Sequence, residues 1–197
     1  MRFIGEHPRT QEQLRAWVGK KKRKEEEKKL IFGQFYFLAA GTDSESQRTL
    51  LGMLKSLLFQ VLSQCPGLNE RVSSGQLGKM KMSRFQGNPS VQRFQDFGSM
   101  QIEAAFDLLL NYTVDAEHRI CFLIAGLDES GGDDSKFEDL AARLKAWTTR
   151  RNIKLLVSSR PWSPFLTIFT AHPTLHLHKL NRFEIRTYVI RQLKQDR

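Results

Sequence analysis

The sequence predicts an α/β protein in which a parallel β-sheet carries helices on both faces. Strand-like and helix-like segments alternate along most of the 197 residues, and that order specifies a parallel sheet. The apolar run at residues 120–125 is too short for a typical helix, so we interpret it as a strand buried on both faces. An acidic loop follows it, at the end of the strand where open α/β sheets bind ligands.

Five helices are predicted, at residues 7–18, 49–62, 99–112, 137–147 and 181–195. Most are amphipathic, with apolar residues on one face, whereas residues 49–62 carry apolar side chains around most of the helix circumference. Local signals mark their ends: Pro66 and Gly67 follow the second segment, and Glu184 stands three residues after Asn181 as a capping partner.

Strands are predicted where short apolar or aromatic runs are bounded by turn residues. These runs are residues 30–40, 120–125, 153–158 and 174–180. The last of them alternates apolar and polar side chains, as an edge strand does. The stretch at about residues 69–98 is rich in glycine, serine and basic residues, so we expect an irregular surface excursion inside one domain that covers residues 1–197.

The composition limits the classes of function. Hydrophobic residues make up 40% and charged residues 26% of the chain, which is typical of a globular protein. No apolar run is long enough to span a bilayer, and the first residues lack the apolar core of a secretory signal, so we expect a cytoplasmic protein without a membrane partner. Cys65 and Cys121 lie in apolar surroundings and are interpreted as buried free thiols.

The formal net charge of +10 suggests a basic nucleic-acid-binding domain as an alternative. Much of this charge is local, because residues 20–29 read KKKRKEEEKK. The basic run at residues 20–24 is compatible with a solvated segment, a nuclear-localisation patch or a phosphate-binding surface. No aromatic residues are interleaved with these lysines, and no recognised nucleic-acid motif accompanies them, so nucleic acid is the less favoured partner.

Five segments together resemble a known family. TDSESQRTLLGMLKSLLFQVLSQCP, CFLIAGLDESGGD and IKLLVSSRPW occur in this order and at similar spacing in fungal NACHT domains, and HPRTQEQLRAW and LNRFEIRTYVIRQL are similar to the same family. These domains belong to the STAND class of P-loop NTPases and are often labelled nephrocystin-like. The resemblance implies a three-layer P-loop NTPase-like fold and a signalling or self/non-self recognition module that uses ATP or GTP with Mg²⁺.

The resemblance also assigns roles to residues at two neighbouring strand ends. Residues 120–129 match the Walker B strand and its acidic tail, which makes Asp128 and Glu129 the candidate catalytic residues for positioning the attacking water. Arg160 matches the sensor position that faces the γ-phosphate, where a guanidinium stabilises phosphoryl charge with two hydrogen bonds. The alternative for Arg160 is an arginine that only caps a strand end.

Two departures from the family pattern argue against activity. Ala125 stands where the family has the Asp that holds Mg²⁺ through water, and a methyl group cannot coordinate a cation that requires oxygen ligands. No GxxxxGK[ST] string exists in the chain, and the nearest one, GQLGKM, has the wrong glycine spacing. We therefore expect no metal and no cofactor, and a chain that does not bind or hydrolyse a nucleoside triphosphate alone.

The same comparison has a structural consequence. In the family the P-loop precedes the segment equivalent to residues 1–4, so the resemblance implies a partial domain that lacks the first, P-loop strand of the sheet. Neighbouring strands would then have unpaired edges. The remaining alternative is a non-catalytic α/β protein-interaction module, whose partners would be other protein domains or chains, including copies of itself in an oligomer.

Overall fold

The computed structural model of the protein describes residues 2–19, 29–38, 45–72, 98–115, 118–161 and 163–195. Within these ranges three strands form one all-parallel sheet in the order β1-β2-β3. The strands are β1 (Leu30–Tyr36), β2 (Arg119–Ala125) and β3 (Ile153–Ser158). This arrangement confirms the predicted α/β fold, and it is consistent with a P-loop NTPase-like domain without its first strand.

The described ranges contain nine α-helices around the sheet. They are α1 (Arg2–Glu6), α2 (Pro8–Val18), α3 (Leu50–Gln64), α4 (Gly67–Val72), α5 (Ser99–Asp115), α6 (Asp134–Thr148), α7 (Ser163–Ile168), α8 (Leu177–Leu180) and α9 (Arg182–Gln195). The five helices predicted from apolar spacing are confirmed as α2, α3, α5, α6 and α9. No helix in these ranges is both long and apolar enough to cross a lipid bilayer.

The sheet separates two apolar clusters, because successive side chains of a strand point to opposite faces. Ile120, Phe122 and Ile124 of β2 point into the larger cluster, which α3, α5 and α6 cover. On the other face, Leu14 of α2 packs with Cys121 in a smaller cluster. Helices therefore cover both faces, as the sequence predicted.

Phe122 is the centre of aromatic packing in the larger cluster. Its ring centroid lies 6.0 Å from that of Phe106 in α5 and 5.7 Å from that of Trp147 in α6, and the latter two are 4.8 Å apart. Aromatic pairs of this kind contribute about 0.5–1.5 kcal/mol beyond their buried area. Gly33 of β1 leaves room for the ring, since a Cβ atom there would lie 2.8 Å from Phe122 Cδ1.

The outer edge of β1 is closed by two glutamine side chains of α3. Gln60 accepts a hydrogen bond from the Gln34 backbone N–H (2.9 Å) and donates one to the Gln34 carbonyl (2.8 Å). Gln64 does the same for Phe32, at 3.0 Å and 2.6 Å. The two amides therefore satisfy backbone groups that would otherwise form an open sheet edge.

Among the described residues, no side chain covers the outer edge of β3 in this way. The Ile120 N–H donates to the Asn152 carbonyl, so alternate residues from Asn152 onward face β2, and Leu155 and Val157 direct their backbone groups outward. No hydrogen bond among the described residues involves these outward groups. The residues from 155 to 158 are only half-buried, so this edge is open.

The fourth predicted strand, at residues 174–180, is wrong. Residues 173–176 have no regular structure, and residues 177–180 form α8, whose first turn is closed by the Lys179 N–H donating to the His176 carbonyl at 3.0 Å. Alternation of side chains alone does not make a strand, because its backbone groups also need a neighbouring strand. In the structure this segment pairs with none of the three described strands.

Two other predictions meet the limits of the described residues. The stretch at about 69–98 was expected to be irregular, but α4 continues through its first four positions, and residues 73–97 lie outside the described residues. The basic run at residues 20–24 and the last two residues of the predicted strand at 30–40 also lie outside them. Helices α1, α4, α7 and α8 were not predicted.

Replacing Gln60 with Leu should lower the free energy of unfolding by about 1–3 kcal/mol, because the Gln34 backbone would lose both partners. The control is Gln13→Leu, the same change at an exposed position of α2, with an expected effect within about 0.5 kcal/mol. Urea unfolding followed by circular dichroism measures both. Equal effects of the two variants would contradict the edge-closing role.

Candidate functional site

The candidate site lies where β2 and β3 end side by side. Gly126 follows β2 with φ 71°, in the left-handed region, and a Cβ atom there would lie 3.0 Å from the Phe37 carbonyl oxygen. Glycine therefore allows the chain to turn sharply at the strand end. A single 3-10 turn, Leu127–Glu129, follows with Leu127 buried. This turn places Asp128 and Glu129 at the carboxyl edge of the sheet.

Asp128 joins this turn to the end of β3. Its side chain is only 7% exposed, and Oδ2 lies 3.2 Å from Arg160 Nε. Oδ1 accepts a hydrogen bond from the Arg160 backbone N–H (2.9 Å). The Ser159 hydroxyl lies 3.3 Å from Oδ1 and 2.8 Å from the Arg160 carbonyl, and these two acceptors share its one proton. A buried carboxylate needs such donors to offset its lost hydration. The structure thus brings Asp128 and Arg160 together at neighbouring strand ends.

Arg160 contributes to this contact chiefly through its backbone. Its side chain is 80% exposed, and an ion pair open to solvent adds little to stability. The backbone N–H, by contrast, is fixed in place by the end of β3. This geometry matches the strand-capping alternative for Arg160, while its role as a γ-phosphate sensor stays a prediction.

Two of the remaining acidic side chains of the loop stabilise the start of α6, and the third has no assigned role. Asp133 is the N-cap of α6, and its Oδ1 accepts a hydrogen bond from the Lys136 N–H at 3.2 Å. Asp134 lies in the first turn of α6, where a negative charge interacts favourably with the helix dipole. Glu129 is half-buried, and its carboxyl group lies close to Gly126; its water-positioning role stays a prediction.

The loop is also tied to the segment before α3. The Gly131 N–H donates to the Arg48 carbonyl at 2.7 Å, and the buried Ser130 hydroxyl donates to the Leu127 carbonyl at 2.8 Å. The sequence analysis did not single out Ser159, Ser130 or Arg48. Only the position of Ser159 between β3 and Arg160 could have indicated its contact with the acidic loop.

The residues at the end of β2 do not fit the Mg²⁺ site that the resemblance implies. Ala125 pairs with Tyr36 of β1 and Ser158 of β3, and its carbonyl accepts a hydrogen bond from the Phe37 N–H at 2.9 Å. Its methyl group offers no oxygen to a hard cation. Among the residues that the structure describes, no group of three or more His, Cys, Asp or Glu side chains is placed to hold a metal ion.

Both cysteines are free and buried, which confirms their interpretation as structural thiols. Burial raises the pKa of the Cys121 thiol to about 11, and the nearby Lys154 ammonium only partly opposes this effect. Burial likewise raises the pKa of Cys65, with Lys29 in the opposing role. Because the thiolate is the reactive form, neither thiol is suited to nucleophilic chemistry.

A family model described as Nephrocystin 3, N-terminal, matches residues 14–160. The matched range begins in α2, includes β1, β2 and β3, and ends at Arg160, so it contains all three candidate site residues. No curated protein and no solved structure gives a significant match to the chain.

Replacing Asp128 with Ala should lower the free energy of unfolding by about 1–3 kcal/mol, because it leaves the Arg160 backbone N–H without its acceptor. Arg160→Ala keeps the backbone N–H and removes only an exposed ion pair, so its expected cost is below about 1 kcal/mol. Chemical unfolding of both variants tests this order. Equal or reversed costs would show that the guanidinium, not the backbone, anchors Asp128.

The two thiols should resist a disulfide reagent at pH 8 in the folded chain and react once guanidinium unfolds it. The pKa of Cys121 is raised from 9.0 to about 11 in the folded chain. The buried neutral thiol therefore makes its full contribution to the free energy of unfolding below pH 9, and this contribution falls as the pH rises toward 11. Unfolding measured across this range should show a smaller loss in Cys121→Ala than in the parent chain. Rapid labelling of the folded chain at pH 8 would contradict the assignment.

Proposed function

The chain belongs to the nephrocystin 3 N-terminal family, and from that premise we propose that it is a NACHT-type module of a STAND-class protein of the fungal type. Such a module serves signalling or self/non-self recognition. The proposal is supported by the all-parallel sheet and by the acidic loop at the carboxyl end of its middle strand. A cytoplasmic location, or a nuclear one if the basic run at residues 20–24 directs import, belongs to the same proposal.

We propose further that the chain neither binds nor hydrolyses a nucleoside triphosphate by itself. The observation that carries this proposal is the engagement of both Asp128 oxygens by Arg160 and Ser159. A carboxylate whose two oxygens are both engaged by Arg160 is not directed at an attacking water. Positioning of that water is worth about 10²–10⁴-fold in rate. The Ala125 methyl group and the lack of a GxxxxGK[ST] string in the 197 residues point the same way.

A second candidate function, a non-catalytic protein-interaction module, is favoured by exposed apolar side chains near the end of the chain. From Leu175 onward, six of them are more than half exposed: Leu175 (66%), Leu177 (60%), Leu180 (59%), Phe183 (78%), Ile185 (52%) and Tyr188 (64%). Apolar residues concentrated in this way are typical of protein contacts, whereas scattered single ones are not. The partners would be other protein domains or other copies of the chain.

Equilibrium titration with fluorescent ATP and GTP analogues, with and without Mg²⁺, tests the loss of nucleotide binding. The chain, shown to be folded by circular dichroism, should give no binding at high micromolar concentration. Ala125→Asp should not restore it, since a single new carboxylate does not supply the phosphate-binding loop.

The contrary outcome is Mg²⁺-dependent binding that weakens in Arg160→Ala. The matched control is Arg186→Ala, which removes an exposed arginine of α9 and should have no effect. Binding lost in Arg160→Ala but kept in Arg186→Ala would overturn the proposed inactivity and favour the sensor role.

A further inference from the structure

At the amino edge of the sheet, where the strands begin, cationic side chains lie around one indole ring. This end of the sheet is opposite the acidic loop. We name this group the amino-edge cluster, and its members are Trp17, Arg119 and Lys154. Lys154 Nζ lies 4.6 Å and Arg119 Cζ 5.5 Å from the centroid of the Trp17 ring. Both cations are within the usual range of a cation–π contact.

The strand register explains why these cations converge. Lys154 of β3 pairs with Cys121 of β2, two residues after Arg119, so the Lys154 and Arg119 side chains point to the same face of the sheet. That face is the one that α2 covers with Leu14 and Trp17. Two positive charges are thus held side by side, which is unfavourable unless an anion joins them.

The described part of the chain supplies no such anion to the cluster. Its ion pairs are Arg143 with Glu103 and Arg160 with Asp128, and neither involves the cluster. The Arg119 guanidinium makes one long hydrogen bond to a neutral acceptor, from Nη1 to the Arg151 carbonyl at 3.5 Å. Its buried Nε atom has no acceptor among the described residues.

One more basic residue lies at the same end of the sheet. Lys29, the residue before β1, accepts a backbone hydrogen bond from the Arg119 N–H at 3.0 Å. In the sequence, the basic run at residues 20–24 lies between the last described residue of the α2 segment, Gly19, and Lys29. With a net charge of +10 for the chain, this edge is suited to an extended polyanion.

We propose that the amino-edge cluster binds the phosphate backbone of nucleic acid without reading its bases. The Arg119 guanidinium and the Lys154 ammonium suit phosphate oxygens, to which both donate charge-assisted hydrogen bonds. Nucleic acid presents phosphates at regular intervals along its backbone. It can therefore contact separate cations at the same time, which a single compact anion does less well. The Trp17 ring already contacts two cations, so it positions them and does not stack on a base. This proposal is independent of nucleotide binding at the carboxyl edge.

Fluorescence anisotropy of a labelled DNA duplex, titrated with the full chain over a series of NaCl concentrations, tests the proposal. The double variant Arg119→Gln/Lys154→Gln should bind at least about tenfold more weakly at low salt. The slope of log K against log salt should fall by about 2, since each phosphate contact contributes about 0.9. The matched control, Lys136→Gln/Arg186→Gln, removes two exposed cations elsewhere and should keep the parent slope.

Charge-keeping substitution separates binding from folding. Arg119→Lys/Lys154→Arg should retain the parent slope, because it preserves both charges over Trp17. If this variant loses as much affinity as the glutamine variant, packing and not charge is responsible, and the proposal is overturned.

Four other outcomes would also overturn it. They are no binding by the parent chain at low salt, equal losses in the cluster and control variants, a loss confined to a variant with serine at residues 20–24, and equal binding of poly-glutamate with the same salt slope. The last outcome would assign the surface to an acidic protein instead.

Discussion

The hydrogen bonds along both edges of β2 are the constraint on which the rest of the structure depends. Residues 120–124 are buried without interruption, so water cannot satisfy their backbone groups. Pairing with β1 on one side and β3 on the other does so, from Arg119 to Ala125. Once those strands are parallel, helices must return the chain over the faces, and the loop after Ala125 must emerge beside the end of β3. The Asp128–Arg160 contact is thus a consequence of the sheet.

The outer edge of β1 is covered by helix side chains because the spacing of residues along a helix nearly matches the spacing along a strand. Four residues of a helix rise about 6.0 Å, and two residues of a strand advance about 6.6 Å. Gln60 and Gln64 are therefore spaced to reach Gln34 and Phe32, as an adjacent strand would. No equivalent amide pair faces the outward groups of β3 in the described residues, and that edge stays open for pairing.

Local patterns predicted most of the fold, because apolar spacing is decided within each segment. Five helices and three strands follow from it, whereas the segment at residues 174–180 failed because a strand depends on a neighbour that no local pattern encodes. The proximity of Asp128 and Arg160 was also predictable, since both follow adjacent parallel strands. Which atoms meet was not, because the donor from Arg160 is mainly its backbone. The amides of Gln60 and Gln64 look in sequence like any polar helix face.

The charged side chains at the two ends of the sheet are compensated in different ways. This difference assigns a structural role to the carboxyl edge and a binding role to the amino edge. At the carboxyl edge, Asp128 is buried and its charge is met within the chain by donors of Arg160 and Ser159. At the amino edge, Arg119 and Lys154 share the Trp17 ring, and the described carboxylates do not pair with them. A satisfied buried charge stabilises the fold, and a ligand must displace its partners before using it. Unpaired cations impose no such cost on an anion, so the amino edge is the better placed of the two to bind one.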